Sequence, residues 1–243
     1  MKAFRKISLL CLGFCLFTVP ITAATIKITD YFTVPQEIAL ATAAASDNVP
    51  QIQKLAGMGT NINARGRSDL TPLMLAAINH NKQAYECLLK LGADPNIQFQ
   101  ETGSSAVLVA AAIADSSFLE QALVHGGKPN QVNPLTGLTP IWRSIEEILP
   151  TNVKLLAAAG ADVNFPDGRG VTPLMFAAGS NRYDIDLILL DAGADPRQKN
   201  KWGNSLLWYI HHNRADPQSK FFEWKEEVVG RLRTLGIDTE HGS

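Results

Sequence analysis

The sequence predicts an all-α repeat solenoid of six stacked helical pairs, each pair followed by a β-hairpin-like loop. Three observations carry this. The string "TPLMLAA" at Thr71 returns as "TPLMFAA" at Thr172. Weaker copies stand between and around them: "IALATAA" at Ile38, "SAVLVAA" at Ser105, "TPIWRSI" at Thr139 and "SLLWYIH" at Ser205. A period of 33 or 34 residues therefore runs through the chain, the signature of a repeat architecture. A second marker keeps phase with the first. "GTNIN", "GADPN", "GGKPN", "GADVN", "GADPR" and "GIDTE" place Asn61, Asp94, Lys128, Asp162, Asp195 and Asp238 23 residues after the first marker in five units and 33 after it in the sixth.

Taken in chain order, residues 1–24 stand apart. "MKAFRK" is basic, and "ISLLCLGFCLFTV" is an uncharged run of 13 residues. That is short of the roughly 20 needed to span a bilayer. Small residues follow in "ITAATI", the pattern of a secretory signal cleaved after Ala23 or Ala24. Residues 25–243 then form one domain, with units at approximately 36–64, 65–97, 98–131, 132–164, 165–197 and 198–240.

Within a unit the local chemistry is explicit. Thr71 caps free amide groups, and Pro72 at the first helical position lacks the N–H that would go unpaired. "LMLAA" makes a short inner helix of small and apolar residues, and "NHNK" makes a turn. "QAYECLLKL" puts Tyr85, Leu88 and Leu89 on one face of an outer helix. Gly92 ends that helix, because glycine adopts the left-handed conformation at little cost. A turn-rich stretch such as "NFPDGRG" forms the loop. No unit can bury both faces alone, so stacking is obligatory. Ser105 and Ser205, neither followed by Pro, predict weaker caps in the third and sixth units. The sixth unit carries ten extra residues around "NRADPQSKFF", expected as a long loop or as a cover for the exposed end of the stack. "TIKITDYFTVPQE" is expected to cover the other end.

The segments "DLTPLMLAAINHNKQAYECLLKLGADPN" and "GVTPLMFAAGSNRYDIDLILLDAGADP" resemble ankyrin repeats, and the resemblance extends over roughly residues 36 to 240. The chain departs from the family pattern at Ser105-Ala106, at Ser205-Leu206 and at Lys128. It also lacks the family's His after Thr-Pro-Leu; Met74, Leu108, Trp142, Met175 and Trp208 stand there instead. The resemblance implies a stack whose loops and inner helices form a concave surface that grips other proteins.

Composition narrows the alternatives. The chain has 243 residues, 46% apolar and 19% charged, sufficient for a large core and too weakly charged for a disordered polyelectrolyte. Its formal charge is −1. Removing Lys2, Arg5 and Lys6 leaves 19 basic against 23 acidic residues, or −4, which is no footprint for nucleic acid. Cys11 and Cys15 leave with the same segment. Cys87 alone forms no internal disulfide and reads as a small buried hydrophobe. His211 and His212 are adjacent, and helix neighbours point about 100° apart, so they do not share a metal. Glu146 and Glu147 lack the cleft a catalytic carboxylate pair requires and read as a solvated or partner-facing edge. No phosphate-binding loop, dinucleotide fingerprint or nucleophile elbow is present. The expectation is a binding protein without catalytic residues, cofactor or metal.

The positions free of scaffold duty are the loop tips before each Thr-Pro and the last turn of each inner helix. The tips supply Arg67, Glu101, Leu135, Arg169, Lys201 and Trp202; the helix ends supply Ile78, Asn79, Glu146, Glu147, His212 and Asn213. Trp and Arg are common interface anchors. Trp202 in "KNKWGN" either serves as one or folds back on the last unit. Trp142 and Trp208 either join this surface or fill space between units. No Asn after residue 24 lies in a glycosylation sequon, which favours a bacterial source and a periplasmic destination. Exported bacterial ankyrin proteins include immunity proteins that neutralise a toxin delivered into the periplasm, and others that accompany antioxidant defence. The expected role is therefore a periplasmic inhibitor of a toxic enzyme, monomeric when free and not membrane-inserted after signal cleavage. The alternatives are a stress-defence scaffold or an effector sent into a host cell.

Overall fold

The computed structural model describes residues 26–213 and 216–239. A short α1 (Ile28–Tyr31) precedes six pairs of inner and outer helices: α2 (Pro35–Ala45) with α3 (Val49–Gly57), α4 (Pro72–Ile78) with α5 (Lys82–Lys90), and α6 (Ala106–Ala110) with α7 (Ser117–Val124). Then follow α8 (Pro140–Glu146) with α9 (Pro150–Ala158), α10 (Pro173–Gly179) with α11 (Tyr183–Asp191), and α12 (Leu206–His212) with α13 (Lys220–Thr234). Each outer helix packs on the next: α3 on α5, α5 on α7, α7 on α9, α9 on α11 and α11 on α13. Inner helices stack likewise, from α2 on α4 to α10 on α12. The basic and apolar segment read as an export signal lies outside the described residues. No helix among the described residues is long and apolar enough to cross a membrane.

The core follows the repeat register. One position of the outer helices holds Leu55, Leu88, Ala122, Leu156, Leu189 and Leu232, all buried, so a single apolar row threads every unit. Short inner helices rich in alanine (Ala43, Ala76, Ala110, Ala177) let neighbouring backbones approach closely. Cys87 is half-buried against this core, and burial raises its thiol pKa while Lys90 opposes the shift. It is a core-edge residue, not the fully buried one expected.

The caps only partly follow the sequence reading. Thr71 and Thr172 accept from the backbone N–H groups of Met74 and Met175 at 3.1 and 3.2 Å. Ser105, expected to be weak, also caps, accepting from Leu108 N at 3.4 Å while donating to Gln131. Thr139, expected to cap, does not, and its buried hydroxyl lacks a partner.

Two devices hold consecutive units in register. The six marker glycines, from Gly59 to Gly236, all have positive φ, and each ends an outer helix. Just beyond them, an asparagine reaches into the following unit. Asn63 accepts from Asp94 N and donates to Gly92 O; Asn96 does the same with Lys128 N and Gly126 O. Asn130 pairs with Asp162 N and Gly160 O, and Asn164 with Asp195 N and Gly193 O. In the fifth unit Arg197 takes this place and donates to Leu235 O.

The expected β-hairpin loops are reduced to closed turns. Each is tied by one backbone bond across its base: Gly66 N to Leu70 O, Phe99 N to Ser104 O, Asn133 N to Leu138 O, Asp167 N to Val171 O and Asn200 N to Asn204 O. An isolated bridge joins Phe99 and Ser104. The insertion in the sixth unit is also largely helical. α13 has 15 residues where α5, α9 and α11 have 9, so six of the ten extra residues lengthen the last outer helix. Ser219 caps it by accepting from Phe222 N.

The N-terminal segment lies across the loop side of the first units. Phe32 is buried with Ala41, Ala64, Leu70, Met74, Leu75 and Phe99 in a second apolar cluster. Its ring rests where a side chain on Gly66 would otherwise stand.

Candidate protein-binding face

The loop turns and inner-helix ends bring the residues chosen from sequence to one side of the stack, but in two unlike halves. In the first half they are engaged internally. The Arg67 guanidinium lies 4.9 Å above the Tyr31 ring and 3.8 Å from Glu101. The hydroxyls of Tyr31 and Ser68 both donate to the Glu101 carboxylate at 3.2 Å. Ile78 is half-buried against the Phe32 cluster. Asn79 ends α4 and donates back to Leu75 O. Arg67 and Glu101 stay exposed but are tied to each other and to Tyr31 of the N-terminal segment, Ile78 packs on the Phe32 cluster, and Asn79 is engaged within its own helix.

The middle is mixed. Leu135 is 64% exposed, on a turn held by Asn133, whose carboxamide accepts from Leu135 N and Thr136 N and donates to Thr102 O. Trp142 is not a surface residue: it is 2% exposed. Its indole N–H donates to Phe165 O at 2.9 Å, and its ring centroid lies 5.4 Å from that of Phe176. At the same repeat position Met74, Leu108 and Met175 are equally buried, so the missing family histidine is replaced by an apolar row between units. Glu146 and Glu147 both pair with Arg143, at 2.5 and 3.5 Å. Burial raises the Glu146 carboxyl pKa, against the lowering effect of Arg143.

In the last two units the turns are exposed and are tied down by their own hydrogen bonds. Asn200 is the hub. Its side chain accepts from the backbone N–H groups of Trp202 and Asn204, both at 3.0 Å, and donates to the Tyr209 hydroxyl at 2.9 Å. The turn is thereby fixed to the inner helix beneath it. Lys201 bonds to the preceding turn twice, through its N–H to Arg169 O at 3.0 Å and its ammonium to Gly168 O at 2.7 Å. Arg169 in turn pairs with Asp167 at 2.9 Å. On this braced turn the Trp202 residue is 64% exposed, and its ring stacks on no other among the described residues. It does not fold back on the last unit. Trp208 is half-buried and stacks on the exposed His212 ring, 4.1 Å between centroids and 21° apart. Asn213 is a scaffold residue that donates to Ala178 O at 2.6 Å.

Two features escaped the sequence reading. Lys199 is exposed on the same turn as Trp202, without a hydrogen bond or ion pair among the described residues. The composition of "RQKNKWGN" was the available signal. Asp186 is fully buried on α11, with neither carboxylate oxygen hydrogen-bonded. Its repeat position is otherwise apolar, held by Ile52, Tyr85, Leu119 and Val153. Among the described residues no group of three His, Cys, Asp or Glu could hold a metal ion.

Stacked helical pairs presenting braced turns along one side define a repeat scaffold for binding other macromolecules. Family models for ankyrin repeats match residues 68–99 and, as three copies, residues 107–200. The chain belongs to the ankyrin-repeat family. It is 30% identical over 201 residues to a human mitochondrial disaggregase, covering 82% of this chain and 28% of that protein. It is 34% identical over 145 residues to Protein PhlB of Serratia liquefaciens, covering 60% of this chain and 63% of that protein. The chain thus spans less than two thirds of each of these relatives. Among solved structures, an ankyrin repeat domain from Acinetobacter baumannii superposes with a TM-score of 0.69 at 29% identity, covering 82% of this chain and 98% of that one.

Proposed function

We propose that this ankyrin-repeat protein binds one protein partner through the turns and inner-helix ends of its last three units, and that it acts by masking that partner. The observation that carries this is Trp202: a large aromatic side chain held exposed on a turn fixed by its own hydrogen bonds. A turn already fixed in this way loses little backbone freedom on binding, and tryptophan is among the residues that dominate interface energies. Arg169, Lys201, Trp208 and His212 belong to the same and the preceding unit, and Leu135 stands on the turn two units away.

The biological setting we infer is the periplasm, and the masked partner a toxic enzyme acting there. Support comes from the basic, then apolar, then small-residue pattern of residues 1–24 and from the lack of sequons beyond them. The test is co-expression in a bacterial host with an exported toxic enzyme encoded beside this gene. Growth should be rescued, and Trp202→Ala should lower affinity by about 2 kcal/mol or more and lose the rescue, with circular dichroism unchanged. Protein retained in the cytoplasm would contradict the setting. A neighbouring catalase, with peroxide survival as the affected trait, would replace inhibition by stress defence. Turnover of a small substrate by the purified protein would end the binding reading.

A further inference from the structure

We propose that the turn of the sixth unit receives an acidic segment of the partner, carboxylates meeting Lys199 and Lys201 and an aliphatic or aromatic side chain meeting Trp202. This rests on the binding-face reading and specifies the chemistry of its partner.

Residues 196–204 contain Arg197, Lys199 and Lys201 and no acidic residue. The four corresponding turns differ. The turn of Arg65 and Arg67 includes Asp69, with Glu101 bonded across to it. The turn around Leu135 has no charge, and that of Arg169 is balanced by Asp167. The chain beyond residue 24 carries −4, so this turn is a local inversion of sign. The stack uses single donors of Arg197 and Lys201 but pairs none of the three charges of this turn with a carboxylate among the described residues. Arg197 serves the register ladder through Leu235 O. Lys201 spends one donor on Gly168 O but keeps its charge and its other N–H groups. Lys199 is exposed and bonded to nothing described.

Geometry then fixes what the charge accompanies. Trp202 lies next to Lys201 in the chain; the Trp202 N–H is held by the Asn200 side chain and the Lys201 N–H by the Arg169 carbonyl. Beneath them Tyr209 accepts from Asn200, and Tyr209 is edge-on to Trp208, 5.0 Å between centroids. Cations beside an uncovered indole, over an aromatic floor, complement a segment that alternates carboxylates with one large apolar residue. Charge pairs at such a rim guide the encounter and select the partner, while the apolar contact supplies most of the affinity.

The experiment is selection of a random dodecapeptide phage library on the full chain and on the double variant Lys199→Glu/Lys201→Glu, both checked by circular dichroism. The expected consensus has two or more Asp or Glu flanking an aromatic or aliphatic residue. A fluorescein-labelled consensus peptide should lose about tenfold or more in affinity when its acids become amides, and weaken as salt rises. The double variant should not bind it. A consensus without acids, or recovery of none, overturns the proposal. So does binding that the charge reversal leaves unchanged. If Trp202→Ala still abolishes such binding, the face stands and only the acidic chemistry falls; if it does not, both fall. Tighter binding to a single-stranded oligonucleotide or to phosphatidylglycerol vesicles would also overturn it.

Discussion

At Asp186 the sequence places a carboxylate where the neighbouring units have isoleucine, tyrosine, leucine and valine. Burial disfavours its charged form, and Asp184 adds to the effect, so its pKa is raised well above the ordinary 3.8. The helices around α11 offer no rescue: α9 carries Lys154, α10 has no ionisable residue, and Lys225, Glu226, Glu227 and Arg231 on α13 make no hydrogen bond to it. Tyr183, one turn earlier, is buried with its hydroxyl also unpartnered. A raised folded-state pKa means that the folded chain holds a proton the unfolded chain has released. Stability from this group is complete below pH 3.8 and is lost as pH rises from there towards the folded-state pKa. Asp186→Leu should therefore stabilise the protein at pH 7 by roughly 1–3 kcal/mol, by urea unfolding, with a smaller gain in acid. A gain that is equal at both pH values would show that desolvation of the charge is not the cause. Ile148 breaks a different rule. It turns the chain between α8 and α9 at φ 59°, where Asp47, His80 and Asn181 stand at the corresponding turns. A β-branched residue in the left-handed region is strained, so Ile148→Asn should raise stability by about 1 kcal/mol in the same assay.

At the scale of the elements, the ladder of Asn63, Asn96, Asn130 and Asn164 ties each outer-helix end to the next. Asn130→Ala removes two bonds at once, to Asp162 N and Gly160 O. The expected cost is about 1 kcal/mol, kept modest by exposure, with faster hydrogen exchange at the Asp162 amide. Unchanged exchange there would mean that water serves the amide as well. The helices themselves were legible because their signals are local: a Thr-Pro start, a glycine stop and an apolar stripe between. What sequence missed depends on neighbours one unit away. Thr139 and Ser105 exchange expected roles because each hydroxyl answers to its surroundings, with Gln131 beside Ser105. Trp142 and Trp208 share a repeat position. The first is covered by Phe176 from the following unit, whereas Trp208 is followed by no further unit among the described residues and stays half-buried. The insertion near Asp216 read as a loop because proline and polar residues open it, yet Ser219 starts a helix three residues later.

For the whole molecule, the period shows that six units stack in a row, and the resemblance to ankyrin repeats implies that the turns and inner helices line the concave side. Which part of that side is open does not follow, because the covering segment, Tyr31 and Phe32, comes from outside the repeats. This is why Arg67 and Glu101, equivalent by position to Lys201, are already engaged while Trp202 is not. The stack also has a metric consequence. Arg67 and Trp202 sit on turns four units apart, and packed helices are spaced by about 8–10 Å, so the two turns are separated by roughly 30–40 Å. A partner touching both would need a surface of that breadth, or about ten extended residues at roughly 3.3 Å each. One resting only on the last three units needs little more than half of this. The molecule is in effect a ruler with one end sheathed, and the size of what it holds can be read from how many of its graduations are covered.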